Sequence, residues 1–285
     1  MSPWPVPAQP MEPVLWPSPF DDPSFSWEVK WDGIRLLTWR SPGRLEAVSR
    51  RGRRAEDRYP ELEELPRVDA VWDGEMVVLR EGKADFPSVL ARHFGRKGLS
   101  ATYMVFDLLY WKGRDLRREP YEVRRSLLLE SLPPDLPHVA RVESFPGEEG
   151  TRLFRAVEAL GWEGLVGKRK DSPYRPGLKG AWRKVKAFRL EAFWVGGWLP
   201  HRGSFLLGRD TPEGLLYVGK VAYPGGPEPP LRRREDPPFL RLPPLRERPL
   251  FFEPTQKALI RYLEWTADGR LRAPTWKGWV WDTSK

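Results

Sequence analysis

Ser26-Trp27-Glu28-Val29-Lys30-Trp31-Asp32-Gly33-Ile34-Arg35-Leu36-Leu37-Thr38-Trp39 decides both the fold and the chemistry. Residues 26–30 and 34–39 are short runs of apolar, β-prone residues with polar ones set between them, so they predict two strands joined at Asp32-Gly33. Within this hairpin-like stretch, Lys30-Trp31-Asp32-Gly33-Ile34-Arg35 puts a lysine at a strand end, a tight glycine turn and then an arginine. A K-x-D-G-x-R match arises by chance in roughly one chain in several hundred of this length. A lysine aimed into a cleft beside cations attacks phosphorus once its pKa is lowered. The competing reading is an exposed β-turn with surface charges, and the motif alone does not choose between them.

Working outward, charged residues interrupt four further strand-like runs: Asp73-Gly74-Glu75 within VWDGEMVVL, Phe106-Asp107-Leu108-Leu109, Glu163-Gly164-Leu165-Val166-Gly167-Lys168, and Trp182-Arg183-Lys184-Val185-Lys186. Ionised groups in buried strands are costly unless paired or bound to a charged ligand. One such interruption reads as a structural salt bridge; five in this order point to a ligand site.

The same periodicity organises the chain. Residues 1–25, rich in Pro and Trp, read as an extended arm. From residue 26 to 188, strands at 71–79 and 102–109 join the two above, and helical patterns cover roughly 123–131 and 150–160, where Leu153, Val157 and Leu160 share a face. This mixture predicts an α+β domain with antiparallel sheets. From 189 to 285 short strands at 191–199, 204–207, 214–221 and 258–266, broken by a Pro/Arg-rich stretch at 224–249, predict a small all-β barrel. There is no internal repeat.

Composition narrows the chemistry. With no cysteine and three separated histidines (His93, His138, His201), thiolate catalysis, cysteine–zinc sites and a Ser-His-Asp triad are poor fits, so Lys, Arg, Asp and Glu must act. A net charge of +9 and a pI near 9.8 suit a polyanionic partner, with plain solubility as the alternative. No asparagine occurs, Arg exceeds Lys and there are 32 prolines, the depletion of heat-labile residues expected in a hot habitat. No apolar run is long enough to span a membrane and no signal peptide is evident, so a cytoplasmic protein is expected. GxxxxGK[ST] and GxGxxG are absent, which removes P-loop and dinucleotide-binding readings.

From Trp27 to Gly278 the sequence resembles the covalent nucleotidyltransferase superfamily of ATP-dependent DNA ligases, RNA ligases and mRNA capping enzymes. It looks closest to the ligase domain of the bacterial end-joining ligase D and its stand-alone relatives, through Ser49-Arg50-Arg51-Gly52, VFDLLYWKGRDL (105–116) and EWTADGRLRAPTWKG (264–278). The resemblance implies an ATP-grasp-like nucleotidyltransferase domain followed by an OB-fold that clamps duplex DNA from the opposite side. It also implies a catalytic Lys30 that takes AMP from ATP, with Lys184 and Lys186 stabilising phosphate charge. Glu163 would hold Mg²⁺, Glu75 would contact the ribose or the metal site, Arg35 and Arg50 would hold ribose and phosphate, Phe106 would stack on adenine and Glu28 would select the base. Asp32 and Asp107 are turn or pairing residues; Lys168 is a phosphate contact or a solvated charge. Arg232, Arg233, Arg234, Arg270 and Arg272 are DNA-phosphate contacts or solvated surface. The expected partners are nicked or broken DNA, Ku-type end-binding proteins and a separate polymerase, with the chain acting alone as a monomer.

The chain departs from the family where an R-x-D-K element is expected to orient pyrophosphate: it carries Val280-Trp281-Asp282-Thr283, with Lys277, Lys285 or Arg272 as substitute cations. Two alternatives therefore stay open: an RNA ligase or capping-type enzyme, and an adenylation-impaired or non-catalytic nucleic-acid-binding module.

Overall fold

The computed structural model describes residues 4–5, 8–177, 179–266 and 268–280. The chain divides into two units, Met1–Ala187 and Phe188–Lys285.

In chain order the first unit contains β1 (Glu12–Leu15), β2 (Phe25–Val29), β3 (Ile34–Ser41), β4 (Arg44–Ser49), β5 (Ala70–Val77), β6 (Leu79–Arg80), β7 (Lys83–Ala84), α1 (Phe86–His93), β8 (Thr102–Trp111), β9 (Arg114–Asp115), α2 (Tyr121–Ser131), β10 (Val139–Arg141), β11 (Ser144–Pro146), α3 (Gly150–Ala159), β12 (Gly164–Arg169) and β13 (Lys179–Lys186). One sheet runs β1-β13-β12-β2-β11 and the other β10-β8-β5-β3-β4. Their pairings are antiparallel except β1 with β13 and β10 with β8.

The second sheet is buried on both faces, which is why its strands read as near-continuous apolar runs. Consecutive Leu36 and Leu37, at 0% and 1% exposure, point into different cores. Each such leucine contributes roughly 1.5–3 kcal/mol of burial free energy. Leu37, Val71 and Phe106 face Trp182 and Val166 of the first sheet, while Leu36, Trp72 and Val105 pack with Val89 of α1 and Leu128 of α2. On its far side, the first sheet packs Trp27, Leu165 and Val185 against Val157 and Leu153 of α3.

The extended N-terminal segment is packed on the first unit: β1 joins the first sheet and Met11 is fully buried. Three local expectations need correction. Helix α1 has no counterpart in the sequence reading, because Phe86-Pro87-Ser88-Val89-Leu90 is an apolar run too short to fix a period. Leu160 lies beyond the last residue of α3 and is 48% exposed, so it does not complete the helix stripe. Strand β20 of the second unit stops at Tyr262 rather than Thr266, opposite Arg189 where its partner β14 begins; residues 263–266 lead into a turn closed by Thr266 N donating to Arg270 O at 2.7 Å.

The second unit is all β: β14 (Arg189–Leu199), β15 (Ser204–Thr211), β16 (Gly214–Ala222), β17 (Arg233–Arg234), β18 (Phe239–Leu240), β19 (Leu250–Phe252), β20 (Lys257–Tyr262) and β21 (Thr275–Trp279). The order is β17-β19-β14-β15-β16-β18, with β20 on β14 and β21 on β20. Along one edge long β14 changes partner from β20 (Arg189–Trp194) to β19 (Gly197–Trp198), while its other edge pairs with β15 through a bulge between Val195 and Gly197, as a corner strand of a barrel does. The Leu271 N–H donates to Val218 O and ties the far end back to β16. The Pro/Arg-rich stretch is not a mere interruption. It lays Phe239 beside β16 and over Gly196, where a Cβ would come within 2.5 Å of the Phe239 ring.

Val280 continues the β20–β21 side, its N–H donating to Lys257 O and its carbonyl accepting from Gln256 Nε2. Asp282, Thr283 and Lys285 lie outside the described residues.

Candidate active site

Lys30 follows the last residue of β2, and its backbone N–H donates to Gly164 O at 2.9 Å, extending the β2–β12 ladder by one bond. That bond sets Lys30 opposite Glu163. The Lys30 Nζ donates to Glu163 Oε2 at 2.6 Å, and Lys186 Nζ lies 2.9 Å from Oε1 of the same carboxylate. Burial pushes the Glu163 carboxyl up, but the two ammonium groups outweigh it and hold it below the usual carboxylate range. Gly164 makes the approach possible: its φ is +146° and a Cβ there would sit 2.0 Å from Val185 O.

Lys184 lies two residues before Lys186 on β13, hence on the same face. Burial, then the Lys30 and Lys186 ammonium charges, push its amine below the ordinary lysine value. Among the described residues no ion pair engages Lys184. Two amines thus share one carboxylate, with a third, that of Lys184, on the same strand face as Lys186, a cationic arrangement that accommodates an added anion.

Across the pocket, Arg35 of β3 is registered opposite Glu75 of β5. Its guanidinium does not bind Glu75. It forks onto Asp73 through Nε at 2.5 Å and Nη2 at 2.6 Å, and Asp73 also accepts from Tyr174 Oη at 2.6 Å. Glu75 is left half-buried, and burial pushes its carboxyl up to about 7 against the pull of Lys30 and Arg35. Gly33 also has a packing purpose: a Cβ there would strike Met76 O at 2.2 Å, so glycine admits close passage of β5.

Between these groups lies a pocket of about 420 Å³, open to solvent and lined by Glu28, Lys30, Trp31, Arg35, Glu75, Phe106, Val166, Lys168 and Trp182 among others. The Phe106 ring is 9% exposed and meets the Arg35 guanidinium at 4.5 Å. Glu28, 2% exposed, accepts from Tyr121 Oη at 2.5 Å and from Lys168 Nζ at 2.9 Å. Lys168 is 1% exposed, so it is not a solvated surface charge; it lines the pocket with its ammonium held by Glu28 and the Phe106 carbonyl. The indole Nε1 atoms of Trp31 and Trp182 are buried without a hydrogen-bond partner. Buried donors of this kind call for an acceptor from a ligand or water.

A wider groove of about 1390 Å³, open solvent included, continues from Lys30 past Lys184, Arg50, Arg51 and Arg53 on one side and Phe86, Leu90 and Phe94 on the other. Arg50 stands in this groove rather than in the smaller pocket, with its guanidinium forked onto Glu12 at 2.6 and 2.5 Å.

Asp107 is a pairing residue. It is fully buried and bound through both oxygens by Arg124 at 2.8 and 2.9 Å. Asp73, Tyr121 and Tyr174 carry the network under the pocket. Of these only Asp73 has a sequence signal, as the first charged residue to break the apolar β5 run.

ATP chemistry suits this donor set, which offers converging cations, an apolar ring and orphaned N–H groups. For Mg²⁺ the fit is partial. Among the described residues no cluster of three or more His, Cys, Asp or Glu side chains exists, so Glu75 and Glu163 would need phosphate and water oxygens to complete an octahedron. In the second unit, Arg232, Arg233 and Arg234 are exposed, whereas Arg270 stacks on Tyr217 at 4.3 Å and Arg272 pairs with Glu264 at 2.6 Å.

A two-sheet α+β body with a lysine-anchored pocket, followed by an OB-fold barrel, defines the nucleotidyltransferase class of polynucleotide ligases. The chain belongs to the ATP-dependent DNA ligase family: the profile of the ATP dependent DNA ligase domain matches residues 17–186. The multifunctional non-homologous end joining DNA repair protein LigD of Mycobacterium tuberculosis is 34% identical over 277 residues, covering 89% of this chain and 36% of LigD. The chain therefore spans about a third of the length of that relative. DNA ligase C1 of Mycolicibacterium smegmatis is 33% identical over 246 residues, covering 76% of this chain and 70% of that protein. The crystal structure of the ligase domain from M. tuberculosis LigD matches with a TM-score of 0.59 at 31% identity, over 96% of this chain and 95% of that one.

Proposed function

We propose that the chain is an ATP-dependent DNA ligase that joins 3′-hydroxyl and 5′-phosphate ends through a lysyl-AMP intermediate on Lys30, in end-joining repair. The observation that carries this reading is the Lys30–Glu163–Lys186 cluster, with Lys30 at the edge of a pocket lined by Glu28, Arg35, Glu75 and Phe106. Lys30 Nζ leaves Glu163, gives up its proton to water and attacks the α-phosphorus. The P–N bond forms as the P–O bond to pyrophosphate breaks. Lys184 and Lys186 meet the charge that develops on the phosphoryl oxygens. Phe106 stacks on adenine, Glu28 accepts from its exocyclic amine, and Arg35 and Arg50 hold ribose and phosphate.

A DNA 5′-phosphate then displaces Lys30 from AMP, breaking the P–N bond, and the 3′-hydroxyl displaces AMP to close the strand. Glu75 and Glu163 would hold Mg²⁺, which supplies charge neutralisation on phosphate oxygens. The Arg50–Arg51–Arg53 side of the groove and Arg232–Arg234 of the second unit contact DNA phosphates. The chain works as a monomer in the cytoplasm of an organism from a hot habitat, beside Ku-type end-binding proteins and a separate polymerase.

Incubation with a 5′-phosphorylated nicked duplex, ATP and Mg²⁺ tests this. Sealing with ATP and its loss in Glu163→Ala are expected. DNA binding without sealing, or equal use of GTP, would replace the ligase with a binding module or a capping-type enzyme.

A further inference from the structure

The base of the pocket contains one ammonium group that the reaction above does not use. Lys168 Nζ donates to Glu28 Oε1 at 2.9 Å and to the Phe106 carbonyl at 2.8 Å, and lies 2.8 Å from Glu28 Oε2 as an ion pair. Glu28 stands on β2 and Lys168 on β12, both in the first sheet, whereas Phe106 stands on β8 in the second. One buried side chain therefore bolts the two sheets together beneath the pocket, and it does so through the two residues assigned to the base. The rings of Phe106, Tyr121 and Trp182 surround it at 4.6, 4.9 and 4.4 Å from Nζ.

The hydrogen-bond count at Glu28 turns this into a statement about selectivity. A carboxylate offers about four lone-pair sites. Tyr121 Oη and Lys168 Nζ both donate to Oε1, so the acceptor directions left for a base lie on Oε2, which the Lys168 ammonium holds 2.8 Å away as an ion pair. An acceptor fixed in that way suits an exocyclic amine, as adenine has at C6, and opposes the carbonyl oxygen that guanine has there. Burial lowers the Lys168 pKa, with Glu28 and then Asp107 opposing. Such an ammonium is expensive to keep.

We propose that Lys168 is a positioning residue for nucleobase selection: by holding both oxygens of Glu28 and the backbone of Phe106, it makes the pocket prefer ATP over GTP. The proposal rests on Glu28 reading the base.

The experiment is labelling of the full chain with α-labelled ATP or GTP and Mg²⁺, in wild type, Lys168→Met, Glu28→Gln and the double variant, with thermal melting alongside. In Lys168→Met the ATP-over-GTP ratio should fall by about tenfold or more, through a raised KM for ATP with kcat little changed. The double variant, which removes both buried charges, should show the ratio of Glu28→Gln alone, because Lys168 acts through Glu28. It carries the test if Lys168→Met does not fold, and a further tenfold loss in it would contradict the proposal. A lowered melting temperature with an unchanged ratio in Lys168→Met, when Glu28→Gln has lost selectivity, would make Lys168 merely structural and overturn the proposal. An unchanged ratio in Glu28→Gln would instead overturn base reading by Glu28.

Discussion

Trp31 and Trp162 stack with ring centroids 5.9 Å apart and planes 34° from parallel, one residue beyond each partner of the Lys30–Glu163 ion pair. The residue after the nucleophile and the residue before its carboxylate are therefore clasped as the charged pair is. Two contacts in parallel restrict where the Lys30 backbone can go when its amine leaves Glu163.

Removing one ring tests the clasp. Stacked aromatic pairs contribute about 0.5–1.5 kcal/mol beyond their burial. Trp162→Ala should therefore slow Lys30 adenylation by roughly 2- to 10-fold, measured as single-turnover labelling at saturating ATP. An unchanged rate would leave the stacking without a positioning role.

The fully buried Asp107–Arg124 pair predicts a large stability effect remote from the chemistry. Asp107→Ala leaves a guanidinium uncompensated at 0% exposure, a change that costs about 3–5 kcal/mol. A fall in melting temperature on the order of 10 °C should follow. Asp107→Ala with wild-type melting would contradict the pairing.

Glu75 predicts a pH dependence of stability. Its folded-state pKa of about 7 stands above the ordinary 4.5 because burial disfavours the charge. Between those values the folded protein holds a proton that the unfolded chain has released. The contribution is therefore fully present below about pH 4.5 and lost as pH rises through about 7. With EDTA and no nucleotide, Glu75→Gln should melt higher than wild type at pH 8 and converge with it towards pH 5. Equal melting at both pH values would remove the burial argument.

What the sequence makes legible follows from the range of each interaction. The strands flanking Lys30 and the β14–β16 run show in local alternation, and Asp73 and Glu75 show because a charge breaks an apolar strand. The occupation of Lys168 is not legible, since its partners Glu28 and Phe106 lie 140 and 62 residues away in the chain. A lysine ending a strand looks the same whether its amine meets water or a buried carboxylate. The same holds for Gly33: its apparent purpose is a turn, and the strand that passes over it is encoded some forty residues later. Proline and arginine likewise disguise the 224–249 stretch as a loop, although Phe239 anchors it on β16.

Intact-protein mass measurement with site mapping, after incubation with ATP and Mg²⁺, tests the nucleophile most directly. An acid-labile AMP adduct on Lys30, absent from Lys30→Ala and released by adding nicked duplex, is the expected result. Mapping of the adduct to Lys184 or Lys186, or no adduct under any nucleotide, would contradict the assignment of the nucleophile.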